Sequence, residues 1–112
     1  AEDNDSNYLL LSTILKKEYH LTRAVNGAEA VRLYHEIHPD LILMDIKMPV
    51  MTGLEATAEI RKADKEIPII ALTAYAFGSD RDEAINAGCD RVMTKPINIK
   101  EIKDMLSKLL GD

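Results

Sequence analysis

A single cysteine, Cys89, is all this 112-residue chain contains. No intrachain disulfide can form, and Cys89 with the scattered His20, His35 and His38 assembles no four-ligand zinc pattern. One unpaired thiol fits a reducing, cytoplasmic setting. Positive charge is also short. Fourteen Lys+Arg face nineteen Asp+Glu, a net of -5, so the basic face that nucleic acid requires is missing and no direct nucleic-acid partner is expected. No apolar run approaches the ~20 residues that span a bilayer, and no signal-peptide pattern opens the chain. The segment is expected to be soluble without touching a membrane directly, which leaves room for a membrane-anchored parent. Repeats, linkers and low-complexity stretches are absent, so residues 1–112 read as one domain with one core and one site.

Helical and extended patterns alternate along its whole length. Residues 4–17 place Tyr8, Leu11, Ile14 and Leu15 at helical spacing behind the capping candidates Asn4, Asp5 and Ser6. Residues 21–25 read as a short strand ended by Asn26-Gly27. A second helix carries Ala30, Val31, Tyr34 and Ile37 and stops at His38-Pro39. Leu41-Ile42-Leu43-Met44-Asp45 and Pro68-Ile69-Ile70-Ala71-Leu72 are continuous apolar runs, the signature of strands covered on both faces. Between them Thr52 can cap a helix to about Arg61, with Leu54 and Ile60 inward. Ser79 with Asp82 suggests a capping-box start to a fourth helix that ends at Gly88. Residues 91–94 form a short strand. Asn98 with Glu101 starts a last helix whose apolar stripe is Ile99, Ile102, Met105, Leu106 and Leu109, with Gly111 as its stop.

The order is αβαβαβαβα, which predicts an α/β fold: a doubly wound parallel sheet with five helices on its two faces. A series that begins on a helix, behind the polar Ala1-Glu2-Asp3-Asn4, lacks its first strand. The domain is therefore expected to be truncated at its N-terminal strand.

In such a sheet all carboxyl ends of strands lie on one edge. Glu2, Asp3, Asp45, Thr73 and Lys95 all fall at strand ends and would converge there. Three carboxylates that close raise one another's pKa unless a hard divalent cation neutralises them, and Mg²⁺ commonly uses one or two carboxylates with phosphate oxygens and water. Lys95 adds a mobile point charge and Thr73 a hydroxyl, the groups that hold a phosphoryl group near Asp45. The implied chemistry is phosphoryl transfer to a carboxylate by positioning and charge neutralisation.

These residues resemble those of receiver domains from two-component response regulators and hybrid sensor kinases. Glu2-Asp3 resembles the acidic pair after the first strand, Met44-Asp45-Ile46-Lys47-Met48-Pro49 the phosphoacceptor motif, Ala71-Leu72-Thr73-Ala74 the switch-threonine motif and Lys95-Pro96 the lysine motif. The resemblance covers essentially the whole chain and implies the flavodoxin-like strand order 2-1-3-4-5. It implies that Asp45 accepts a phosphoryl group from a phosphohistidine, while Glu2, Asp3, Asp45 and the Lys47 backbone carbonyl hold Mg²⁺. Thr73 and Lys95 would each bond a phosphoryl oxygen, with a cis peptide at Lys95-Pro96. The loop 74–78 and the helix behind it would then shift, changing an interaction surface.

The implied partner is a histidine kinase or a histidine-phosphotransfer domain docking near the first helix, with a homodimer left open. The opening residues and the Thr73 and Lys95 segments look most like receivers of hybrid sensor histidine kinases. No independent turnover enzyme is expected; the domain catalyses its own aspartyl phosphorylation. The alternative is a degenerate receiver that acts only as a protein-interaction scaffold, which the presence of Asp3, Asp45, Thr73 and Lys95 opposes. An independent aspartyl-phosphate phosphatase is disfavoured because Lys47, two residues past Asp45, is a poor general acid. Two departures stand out. Val92 occupies the place of the family's frequent aromatic switch residue, so switching would rest on backbone movement, and Thr52 stands where Asp is typical. Lys47 and Tyr75 would flank the path of attacking water and tune the lifetime of the aspartyl phosphate.

Overall fold

The computed structural model describes residues 1–2, 4–17, 19–46, 51–73, 79–95 and 98–110. Among them are α1 (Asp5–Leu15), α2 (Gly27–Ile37), β1 (Ile42–Asp45), α3 (Gly53–Ala63), β2 (Ile69–Thr73), α4 (Ser79–Ala87), β3 (Arg91–Thr94) and α5 (Ile99–Leu110).

The three strands form a parallel sheet in the order β1-β2-β3, with Ile42 opposite Ile69 and Thr73 opposite Thr94. Every residue of the central β2 is buried, as a continuous apolar run requires. Side chains alternate across this sheet into two cores. Ile42, Met44, Ile69 and Ala71 pack with Ala30 and Tyr34 of α2, Ala56 and Ile60 of α3 and Ala84 of α4. Ile70, Leu72 and Met93 pack on the other face with Leu11 and Leu15 of α1 and Ile102 and Leu106 of α5. The sheet is thus covered on both faces, as the alternation of elements predicts.

Residues 21–25 correct one expectation, for no strand forms there. The physical reason is a shortage of ladder partners. Among the described residues only Ala1 and Glu2 lie between this segment and β1, and the bond from the Glu2 amide to the Ala24 carbonyl, 2.9 Å, ties them together. On their other side the Ala1 ammonium donates to the Leu43 carbonyl, and the Asp45 amide donates to the Ala1 carbonyl at 3.1 Å. Across the sheet the order is therefore residues 21–24, Ala1–Glu2, β1, β2, β3, the sequence of positions expected for strands 2-1-3-4-5.

Caps follow side-chain chemistry. The Asn4, Asn26 and Asn98 side chains accept the Asn7, Glu29 and Glu101 amides, and Thr52 with Glu55 forms a full capping box. His38 ends α2 in the left-handed region at φ 47°, just before Pro39. Gly88, at φ 118°, ends α4 in a Schellman motif: its amide reaches the Ile85 carbonyl and the Cys89 amide the Ala84 carbonyl. Ile37 and Ile99, expected inward, are about half exposed at 48% and 50%. Both sit at helix termini, where the core layer has run out. The capping-box side chains at Ser79 and the stop at Gly111 lie outside the described residues.

Candidate phosphoacceptor site

Asp45 ends β1, Thr73 ends β2, and Lys95 directly follows β3. Parallel register puts all three on the carboxyl edge, and Glu2 joins them because Ala1 is bonded to β1 on that same edge. Glu2, Asp45 and Thr73 are buried at 3%, 4% and 3% exposure, unusual for such groups unless they serve one another.

Lys95 is the hub of this cluster. Its Nζ donates to Asp45 Oδ2 at 2.8 Å and stands 3.2 Å from Glu2 Oε1. Its backbone amide donates to the Thr73 carbonyl at 2.7 Å, which fixes where the side chain starts. Burial pushes the Lys95 ammonium down, but its bond to Asp45 and the charges of Asp45 and Glu2 outweigh this and leave its pKa raised. Glu2 is raised as well. Burial is the main cause, followed by the adjacent Asp45 carboxyl, and the bond from the Asn4 amide and the nearby Lys95 ammonium offset these only in part.

One ammonium therefore serves two buried carboxylates. Lys95 is within ion-pair distance of Glu2 Oε1 but out of hydrogen-bonding geometry, so this buried oxygen has no hydrogen-bond partner among the described residues. An acceptor in that state beside a second carboxylate is what a hard cation satisfies, and the pair fits Mg²⁺. Among the described residues no group of three or more His, Cys, Asp and Glu side chains comes together. Asp3 and the Lys47 carbonyl, the other expected ligands, lie outside the described residues, as do Tyr75, Pro96 and the loop 74–78. Val92 is partly buried against the α2–α3–α4 core.

Several supporting residues carry no sequence signal of their own. Arg23 Nε donates to the Glu2 carbonyl at 3.1 Å, its guanidinium pairs with Asp5 at 2.8 Å and stacks over the Tyr8 ring at 4.7 Å. The Asn4 amide donates to Glu2 Oε2 at 3.2 Å. Gly53 donates to the Ile46 carbonyl at 2.8 Å, and a Cβ there would collide with the Asp45 carbonyl oxygen. Gly27 donates to the Met51 carbonyl at 3.0 Å, where a Cβ would meet that same oxygen. Both glycines are spaces through which helix N-termini approach the chain around Asp45. The Asn26-Gly27 pair, read from the sequence as the end of a strand, and the Thr52 cap before Gly53 are the hints of this.

Cys89 is buried with its Sγ 3.6 Å from Thr57 Oγ1, and burial pushes its thiol up, away from reactivity. His20, His35 and His38 are exposed. No helix among the described residues is long and apolar enough to cross a membrane.

Comparison with known proteins agrees with this geometry. The chain is 42% identical to part of "Hybrid signal transduction histidine kinase I" of Dictyostelium discoideum, matching over 96% of its own length but only 7% of that protein. It is 38% identical to the polar-differentiation response regulator DivK of Brucella anthropi, covering 100% of the chain and 94% of DivK. In structure it resembles the receiver domain of the sensor histidine kinase PA1611 of Pseudomonas aeruginosa, which has a magnesium ion coordinated in its active-site cleft. The TM-score is 0.93 at 36% identity over 100% of this chain and 94% of that one. The Saccharomyces cerevisiae Ssk1 receiver, crystallised with the histidine phosphotransfer protein Ypd1, gives a TM-score of 0.90 at 32% identity over 96% and 83%. Such neighbours share the flavodoxin-like fold expected from the order of elements, and the description "Response regulator receiver domain" matches residues 1–107. With Asp45, Thr73 and Lys95 on one sheet edge and the match running from the first residue to α5, the chain belongs to the response regulator receiver domain family of two-component signalling.

Proposed function

We propose that this receiver takes a phosphoryl group from a phosphohistidine onto Asp45 in a Mg²⁺-dependent phosphorelay step. The observation that carries the reading is the 2.8 Å contact between Lys95 Nζ and Asp45 Oδ2, with the buried Glu2 Oε1 3.2 Å from the same nitrogen. An Asp45 carboxylate oxygen forms the new bond to phosphorus as the bond from phosphorus to the donor imidazole nitrogen breaks; with a proton already on the ring's other nitrogen, the donor leaves as neutral imidazole. Lys95 orients the carboxylate beforehand and bonds a phosphoryl oxygen afterwards. The Thr73 hydroxyl takes another. Glu2 and Asp45, with Asp3 and the Lys47 carbonyl, would hold Mg²⁺, which would supply the charge that lets an anionic donor approach two carboxylates.

The proposed donor is a histidine kinase or histidine-phosphotransfer domain seated against α1. That helix presents Leu9 and Leu10 at 65% and 48% exposure, large apolar side chains with no part in the core. The parent is proposed to be a hybrid sensor histidine kinase in the cytoplasm or anchored to a membrane.

Incubation with acetyl phosphate and Mg²⁺, read by intact mass, tests the reading. One added phosphoryl group on the wild type and none on Asp45→Asn is expected. Equal labelling of both, or none of either, removes it and leaves the scaffold role.

A further inference from the structure

Glu2 is held in place from outside the site it serves. Its amide donates to the Ala24 carbonyl at 2.9 Å, and a parallel ladder would continue with the Asn26 amide donating to the Glu2 carbonyl. Asn26 has instead left the sheet to cap α2. The Arg23 side chain fills the gap, its Nε donating to the Glu2 carbonyl at 3.1 Å. Two further contacts fix that side chain in turn. Nη2 forms an ion pair with Asp5 Oδ1 at 2.8 Å, and the guanidinium lies over the Tyr8 ring at 4.7 Å. The Asp5 side chain is 91% exposed, so this pair contributes little by itself, whereas Arg23 is only 23% exposed. The Nε bond and the ring stack therefore carry the hold. Asp5 and Tyr8 both belong to α1. Arg23 thus ties the Glu2 peptide to the first turn of the helix that follows it.

We propose that Arg23 is a positioning residue for the cation site: its planar fork fixes the Glu2 peptide, aims the Glu2 carboxylate at Asp45 and thereby sets the affinity for Mg²⁺. This rests on the Mg²⁺-dependent function proposed above. Arg23 acts through the Glu2 backbone, while the carboxylate itself is served by the Asn4 amide, 3.2 Å from Oε2, and by Lys95. The sign of the effect separates position from charge. A guanidinium beside the Glu2 peptide repels a divalent cation, so if Arg23 were only a charge, its removal would tighten Mg²⁺ binding. As a clamp, its removal frees the carboxylate and weakens binding, since outer groups that orient metal ligands are worth about 10- to 100-fold in affinity. Lysine cannot take its place. An ammonium is a point charge at the end of a stem, unable to bond the Glu2 carbonyl, lie over Tyr8 and reach Asp5 at once.

Calorimetric Mg²⁺ titration of the 112-residue chain tests the proposal, using Arg23→Met, which keeps an apolar stem, and Arg23→Lys, which keeps the charge. The dissociation constant should rise by about tenfold in both. The Mg²⁺ concentration that gives half-maximal labelling of Asp45 by acetyl phosphate should rise by the same factor, while the rate at saturating Mg²⁺ falls by less than about twofold. A merely destabilising change would lower that saturated rate as well. Tyr8→Leu removes the ring from the guanidinium without altering any charge and serves where Arg23→Met does not fold; about threefold weaker binding is expected. Unchanged or tighter Mg²⁺ binding by Arg23→Met or Tyr8→Leu, or wild-type affinity in Arg23→Lys, overturns the role of Arg23 and leaves the phosphoryl function standing. A wild type that binds no Mg²⁺ and is labelled equally with and without it removes the cation site, and the role of Arg23 with it.

Discussion

The Lys95 ammonium and the Asp45 carboxylate meet at 2.8 Å across 50 positions of sequence, with Glu2 Oε1 3.2 Å from the same nitrogen. Removing that nitrogen leaves two buried carboxylates facing each other. Lys95→Ala is expected to lower stability by about 2 kcal/mol in urea titrations without Mg²⁺. Added Mg²⁺ should restore part of the loss, while acetyl-phosphate labelling stays impaired. A variant as stable as wild type in metal-free buffer would show that the ion pair contributes nothing.

Glu2→Gln should act in the opposite direction. Burial and the Asp45 charge hold the Glu2 carboxyl above its ordinary value, so its ionised form is a burden on the fold. The amide should stabilise the metal-free protein by about 1 kcal/mol and weaken Mg²⁺ binding by tenfold or more. Calorimetric Mg²⁺ titration together with a thermal melt reads both effects, and a variant that loses both stability and affinity would count against this account.

The Ala1 ammonium gives the 112-residue chain a distinct pH dependence. Burial pushes it from 8.0 to about 6, partly offset by the Glu2 and Asp45 charges. The unfolded chain therefore holds the extra proton between about 6 and 8.0, and stability should rise with pH through that window, by about 2 kcal/mol. The raised Glu2 works the other way, losing stability as pH climbs from its ordinary value through its folded one. N-terminal acetylation separates the two, since the acetylated chain should lack the rise between pH 6 and 8.

Gly27→Ala should disturb the site from a distance. The added methyl must displace the Met51 carbonyl, and with it the entry to α3. A loss of about 1 to 3 kcal/mol is expected, together with slower labelling of Asp45. Ala28→Gly, one position on and without that contact, should leave the labelling rate alone.

Much of this site could be read before any coordinates. Asp45, Thr73 and Lys95 each follow an apolar run, and a parallel sheet gathers such ends whatever their separation. The bounds of β3 and the Thr52 cap were legible for the same local reasons. What stayed hidden depends on partners distant in sequence. Residues 21–25 have strand composition, but among the described residues only Glu2 bonds to their backbone on the sheet side, and Ile37 and Ile99 carry the helical period past the end of the core. The single ammonium shared by Asp45 and Glu2 is a matter of distances, which no spacing in the sequence encodes.

Arg61 belongs to that hidden class. From α3 it donates to the Gly88 carbonyl at 2.8 Å, to the Asp64 carbonyl at 3.2 Å and to Asp90 Oδ2 at 2.9 Å, and Asp90 Oδ2 also takes the Ile69 amide at 2.9 Å. The C-terminal end of α4 is thereby pinned to α3 and to the start of β2, at the sheet edge opposite Asp45. A helix anchored at one end can swing only about that end. A displacement entering at the N-terminal end of α4 would fall away towards Gly88, so the helix would turn about that residue without shifting as a whole. Arg61→Ala would loosen the pivot while leaving every group around Asp45 in place.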